Sequence, residues 1–114
     1  MKIIVAGTRT FNNYQLLKET LDNLDIEITE IVCGEAPGAD SLGKFYAQQC
    51  HIPIASFPAN WSKNGKVAGF FRNQQMAEYG DYLVAFWDKK SPGTRDMIHR
   101  MEQIGKHGKV VYYD

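Results

Sequence analysis

Ile31-Val-Cys-Gly-Glu-Ala-Pro-Gly-Ala-Asp-Ser-Leu-Gly43 decides how the chain is built. Ile31 to Cys33 is a short apolar run with two β-branched residues, which reads as a buried strand. Gly34 to Gly38 is a turn punctuated by glycine and proline. Ala39 to Cys50 then reads as a helix, with Leu42, Phe45, Tyr46 and Cys50 on one face. A loop of small residues therefore joins the end of a strand to the start of a helix. There the free N–H groups of the helix point outward, and no bulky side chain blocks a ligand.

The same alternation extends in both directions. Upstream, Lys2 to Ala6 is a continuous apolar run typical of a strand covered on both faces, and Gly7-Thr-Arg-Thr10 ends it. Asn12 or Asn13 can cap a helix whose stripe is Tyr14, Leu17, Leu21 and Leu24. Downstream, His51 to Phe57 is a weaker strand, and Pro53 predicts that it lies at an edge. Pro58 to Lys66 is a loop carrying Trp61. Val67 to Tyr79 reads as a helix with Val67, Phe70, Phe71, Gln74 and Ala77 at helical spacing. Asp81 to Trp87 is the clearest buried strand, and a loop over Asp88 to Pro92 follows. Gly93 to Ile104 is a helix with Met97, Ile98, Met101 and Ile104 inward, and Lys109 to Tyr113 is the last strand. Five strands alternating with four helices predict one α/β domain over residues 1–114, with a parallel sheet and helices on both faces.

Size and charge agree with one small domain. The chain has 114 residues, and 44% of them are hydrophobic, enough for a core without metal or disulfide staples. Lys plus Arg and Asp plus Glu number 13 each, a balance that argues against broad charge-driven binding to nucleic acid. Cys33 and Cys50 read as two small hydrophobes in a reducing compartment, and no histidine stands at metal-ligand spacing to them. The expectation is no metal and no cofactor. There is no signal-peptide layout and no apolar run near the ~20 residues of a membrane span, so a cytoplasmic protein with no membrane partner is expected.

Ligands of an open α/β sheet sit outside the carboxyl ends of its strands. The sequence places Gly7, Thr8 and Arg9 there after the first strand, and Gly34, Glu35, Ala36, Gly38 and Asp40 after the second. Trp61 follows the third strand. Arg72 and Asn73 lie on the third helix, and Trp87, Asp88, Ser91, Gly93 and Thr94 follow the fourth strand. Small residues, hydroxyls, two arginines and aromatics at one edge suit a phosphorylated or ribose-bearing ligand, with amides and arginine for the anion and Trp61 for a flat base. Each residue also has a structural role open to it. The glycines serve turn dihedrals, Asp40 caps a helix or complements its dipole, Ser91-Pro92 is an N-cap with proline at the first helical position, and Trp61 is a core aromatic. No Gly-Lys-Ser/Thr follows Gly38, so the turn is not a Walker loop, and no G-x-G-x-x-G follows the first strand.

Gly7-Thr-Arg9, Cys33-Gly-Glu-Ala-Pro-Gly-Ala-Asp40, Ala59-Asn-Trp61, Ala68-Gly-Phe-Phe-Arg-Asn73, Ala85-Phe-Trp-Asp88 and Ser91-Pro-Gly-Thr94 together resemble the YspA-like branch of the SLOG superfamily. The resemblance spans nearly the whole chain. It implies a single Rossmann-like three-layer α/β/α domain, of bacterial or phage type, that binds a nucleotide or a nucleotide-derived molecule such as an ADP-ribose or a nucleoside phosphate. The superfamily includes the lonely-guy phosphoribohydrolases and DNA-processing protein A. Arg72-Asn-Gln-Gln-Met76 is similar to the lonely-guy Arg-Lys-x-x-Met, and Ser91-Pro-Gly-Thr94 to their Pro-Gly-Gly-x-Gly-Thr turn. Arg72 thus matches their catalytic arginine, and Gly93-Thr94 their phosphate-binding turn. Their glutamate falls at Met97, which carries no proton, and Asp96 is one residue early, about 100° around a helix axis. If the chain hydrolyses an N-glycosidic bond, Asp40, Glu35 or Asp88 would have to replace that glutamate and act with Arg72. Binding or sensing is the first expectation, hydrolysis the alternative and single-stranded nucleic-acid binding the third. The resemblance also leaves a homodimer open, through aromatic and methionine residues of the third and fourth helices that serve a core equally well.

Overall fold

The computed structural model describes residues 1–113, with every side chain except that of Lys66. Strands β1 (Lys2–Gly7), β2 (Glu30–Cys33), β3 (Ile54–Ser56), β4 (Tyr82–Trp87) and β5 (His107–Tyr112) form one sheet in the order β3-β2-β1-β4-β5. Every pairing is parallel. This is the expected Rossmann-like α/β architecture. Pro53 marks an edge as expected, since β3 is the outermost strand on its side.

The pleat divides the core. Ile3 and Val5 of β1 face helices α1 (Tyr14–Asp22) and α2 (Ala39–Gln49), packing with Leu17, Leu21, Tyr46 and Ala47. Ile4 and Ala6 face the opposite way, against Met76, Ala77, Met97 and Met101 of the two helices on the other face. Those helices are α4 (Ala68–Tyr79) and α5 (Pro92–Gln103). Ile3, Ile4 and Val5 are fully buried, each contributing about 1.5–3 kcal/mol of transfer free energy. The chain runs outward from β1 to β3 and returns to the centre at β4. The topological switch point is therefore the β1/β4 boundary, where ligands of such sheets sit.

Local signals explain the helix ends. Asn13, one of the two expected caps, accepts from the Leu16 N–H at 3.0 Å and starts α1. At the far end of α4, Lys106 Nζ donates to the carbonyls of Ala77, Glu78 and Gly80 at 2.8, 3.0 and 2.7 Å. One ammonium thereby satisfies carbonyls that the helix leaves without partners and opposes the negative end of its dipole.

The structure departs from the sequence expectation in four places. The stretch Pro58 to Lys66 is not only loop. Asn60 accepts from the Lys63 N–H at 3.1 Å and caps a four-residue helix, α3 (Trp61–Asn64), and a 3₁₀ turn over Gly65–Val67 leads into α4. The expected apolar face of α4 is also largely its outer one. Val67, Phe70 and Phe71 are exposed, and the buried positions are Ala68, Asn73, Met76 and Ala77. Two stripes of that sequence fit a helical period. The sheet takes the slimmer one, because alanines let the helix approach and Asn73 finds polar partners inside. On α2, Phe45 and Cys50 are exposed, while Ala39, Gly43, Tyr46 and Ala47 face the sheet. At the end of α5, Ile104 is the C-cap residue and is exposed. Among the described residues no helix is long and apolar enough to cross a membrane, and no group of three or more acidic, histidine or cysteine side chains is arranged to hold a metal.

Candidate functional site

The carboxyl ends of β1 and β2, the start of α2, the first half of α4 and the N-terminus of α5 enclose a cleft of about 190 Å³. It adjoins a second recess of about 190 Å³, walled by Gly34 to Pro37, Pro58 and Ala59, and Arg9, Ala36, Trp61 and Arg72 line both.

One wall is the turn after β2. Asp40, in the first turn of α2, is 5% exposed. Its Oδ2 accepts from the N–H groups of Gly34 at 3.1 Å and Ala36 at 3.2 Å, closing the turn on itself. Its Oδ1 has no hydrogen-bond partner among the described residues, and it is not sealed from solvent. Burial pushes the carboxyl up to about 6, against the two amides and the guanidinium groups of Arg72 and Arg9, which favour the charged form. Gly38 caps α2 at φ +80°, a conformation that glycine adopts without cost. A Cβ there would stand 2.4 Å from the Thr8 carbonyl oxygen, so the turns after β1 and β2 meet backbone to backbone.

The facing wall is α4. Arg72 Nη1 donates to the Gly34 carbonyl, and Nε donates to Asn73 Oδ1 at 3.2 Å. Nη2 makes no hydrogen bond among the described residues. Burial lowers the guanidinium pKa from its ordinary value, with the Asp40 charge opposing, and an arginine keeps its proton under such conditions. Asn73 is buried. Its Nδ2 donates to the Gly93 carbonyl at 3.1 Å and to Asp96 Oδ2 at 3.0 Å. Asp96 in turn accepts from Arg100 Nε at 2.8 Å, and Arg100 Nη1 donates to Gln74 Oε1 at 2.9 Å. A polar chain thus runs from the cleft through the α4–α5 contact.

The third wall is the start of α5. Ser91 occupies the N-cap with no side-chain capping bond, and its hydroxyl accepts from Thr94 Oγ1 at 3.2 Å. The first-turn amides of this twelve-residue helix therefore face the cleft edge without a side-chain cap. Met97, the position at which the resemblance puts a glutamate, is buried and lines the cleft.

Most of the residues expected from sequence come together. Gly7, Arg9, Ala36, Asp40, Trp61, Arg72, Asn73, Ser91, Gly93 and Thr94 line the cleft, and Gly34 and Glu35 line the adjoining recess. Four stand apart. Asp88 turns its Oδ1 onto the N–H groups of Lys90 and Ser91, both at 2.8 Å, which lowers its pKa, and it borders a separate groove beside Phe11 and Tyr113. Trp87 donates its indole N–H to the Ser91 carbonyl at 3.0 Å and lies beside Tyr112. Thr8 accepts from the Asp88 N–H at 3.3 Å, and Gly38 packs against the backbone of Thr8 and Arg9. These four shape the loops that carry the cleft.

Sequence reasoning missed Gly69, Phe70 and Met76 as lining residues. Phe70 and Gly69 lie in the Ala68 to Asn73 stretch singled out for other reasons. Their signal was the turn of helix they share with Arg72.

The cleft thus offers fixed amides, an anchored arginine and an unfilled carboxylate oxygen at a switch point. A family model described as "YspA, cpYpsA-related SLOG family" matches residues 1–64, the stretch from β1 through α3. Searches of curated proteins and of solved structures found no match. On the family match, which covers more than half of its length, the chain belongs to the YspA, cpYpsA-related SLOG family.

Proposed function

We propose that the chain binds a nucleotide or a nucleotide-derived small molecule, of the ADP-ribose or nucleoside phosphate kind, in the cleft at the β1/β4 switch point. The observation that carries this reading is that Arg72 and the N-terminus of α5 line one cleft. A guanidinium with a free Nη2 and a helix start without a side-chain cap are two anion-binding features in one recess. Trp61 at the mouth offers a flat face for a base, with the Arg9 guanidinium 6.0 Å from its ring. Calorimetric titration with adenosine 5′-monophosphate and with ADP-ribose tests the reading. Binding that falls about tenfold or more in Arg72→Ala is the expected result. No heat with either compound at millimolar concentration would sink it.

A second reading, cleavage of the N-glycosidic bond of a nucleotide, is favoured by one observation. Asp40, with its carboxyl near 6, lines the cleft with Arg72, in a range useful for proton transfer near neutral pH. Met97 supplies no proton where the lonely-guy relatives place a glutamate. Chromatography for free base after incubation with nucleoside monophosphates decides between binding alone and hydrolysis.

A further inference from the structure

Asp40 is nearly sealed from solvent, yet only one of its two carboxylate oxygens is used by the protein. Oδ2 takes the Gly34 and Ala36 amides. Oδ1 takes no donor among the described residues and is not fully sealed, and Asp40, 5% exposed, lines the cleft. With no donor of the chain on it and solvent access retained, this oxygen is free to accept a hydrogen bond from a molecule in the cleft. Arg72 does not donate to it. No ion pair within 4.0 Å joins the two, and Arg72 is turned onto Gly34 and Asn73.

The cleft therefore presents an acceptor and a cationic donor side by side but apart. A bare phosphate satisfies the second and is repelled by the first. A ligand that satisfies both carries an anion and, a short distance away, a hydroxyl. The cleft volume of about 190 Å³ suits a sugar phosphate rather than a whole nucleotide, and Trp61 and Phe70, 51% and 41% exposed, stand at its mouth where a base would project.

Resting on the nucleotide-binding reading above, we infer that Asp40 Oδ1 accepts a hydrogen bond from a sugar hydroxyl of the ligand, so that the site selects ribosyl phosphates over bare phosphate and over sugars stripped of their hydroxyls. Asp40 is then a specificity-determining residue, and Arg72 supplies the general attraction for phosphate.

Asp40→Asn is a near-isosteric test. The asparagine carbonyl oxygen can keep both amide bonds of the turn, while the free atom changes from an acceptor to an NH₂ donor. Calorimetry with ribose 5-phosphate and inorganic phosphate on both proteins reads the result. In the wild type, ribose 5-phosphate is expected to bind about tenfold or more tightly than phosphate. In Asp40→Asn that preference disappears, while phosphate binds at least as well as before. The wild type alone gives a second measurement, independent of how the variant folds. Adenosine 5′-monophosphate should bind about tenfold more tightly than its 2′,3′-dideoxy analogue. Equal affinity for those two, or a preference for ribose 5-phosphate that survives in Asp40→Asn, overturns the inference. If phosphate binds with no preference for the sugar, only this inference falls. If the wild type binds none of the four compounds, the nucleotide-binding reading falls and takes the inference with it.

Discussion

Asp40 and Arg72 make no ion pair, but a single residue holds both: the Gly34 N–H donates to Asp40 Oδ2 at 3.1 Å, and the Gly34 carbonyl accepts from Arg72 Nη1. The spacing of the two charged groups of the cleft is thus set by one residue, through the two peptide units that flank it just past the end of β2. Gly34 also has no room for a side chain, since a Cβ there would stand 2.4 Å from Arg72 Nη1 and 2.9 Å from its Cδ.

Gly34→Ala should therefore displace the arginine rather than unfold the sheet. The expected result is a cooperative unfolding transition about 1 kcal/mol or less below wild type, with phosphate or nucleotide affinity down about tenfold. Parallel denaturant unfolding and calorimetry check it. An unchanged affinity would show that Arg72 finds its ligand without Gly34.

Asp40 makes stability depend on pH in an unusual direction for an aspartate. Its carboxyl titrates near 6 in the folded chain, against an ordinary 3.8. The folded state thus binds the proton more tightly than the unfolded one. The stability this group adds is fully present below about pH 4 and is lost as pH rises through about 6. A shift of that size corresponds to about 3 kcal/mol at 1.36 kcal/mol per unit. Asp40→Asn should remove this slope and be the more stable protein at pH 7. Urea unfolding of both proteins at pH 4 to 7 measures the difference. A constant gap across that range would place the Asp40 pKa near its ordinary value.

Asn73 has both amide hydrogens committed, to the Gly93 carbonyl and Asp96, while its oxygen takes Arg72. Asn73→Ala removes three hydrogen bonds at a buried contact and takes this donor from the Gly93 carbonyl, and should cost about 2–3 kcal/mol. Asn73→Asp, which sets a second carboxylate against Asp96, should cost more. Denaturant midpoints for the two variants decide the order.

The face of α4 that meets the sheet is tested by a pair of substitutions. Phe71 is 55% exposed and Met76 is 1% exposed. Phe71→Ser should change stability by about 0.5 kcal/mol or less, and Met76→Ala should cost about 2–5 kcal/mol. Thermal unfolding of the two proteins shows which stripe is inside.

That helix also shows what could and could not be read from sequence. The strands were legible because residues such as Ile3, Ile4, Val5, Val84 and Phe86 form unbroken apolar runs, the pattern of a parallel sheet covered on both faces. Pro53 marked the edge for the same kind of local reason. The face of α4 was not legible, because ranking by hydrophobicity favours Phe70 and Phe71. The sheet instead accepts Ala68, Ala77 and an asparagine whose partners come from α5, and no local rule reports that. In the cleft, the Gly34 to Asp40 turn was legible as a strand-to-helix junction. The division of labour between Asp40 and Asp88 was not. Both are acidic residues near a helix start, and only the fold turns Asp88 onto its own loop and leaves an oxygen of Asp40 open.

The three-carbonyl grip of Lys106 fixes the C-terminal end of α4. Its C-terminal end is clamped to the chain that enters β5, while Arg72 sits seven residues away, about 10 Å along the axis at 1.5 Å per residue. A tilt of about 5° about the clamp moves the Arg72 end by about 1 Å, the scale on which a guanidinium gains or loses a hydrogen bond. The helix thus has one end tied to the chain that enters β5 and the other carrying Arg72 at the cleft, so small errors in how it is seated would be felt at the guanidinium.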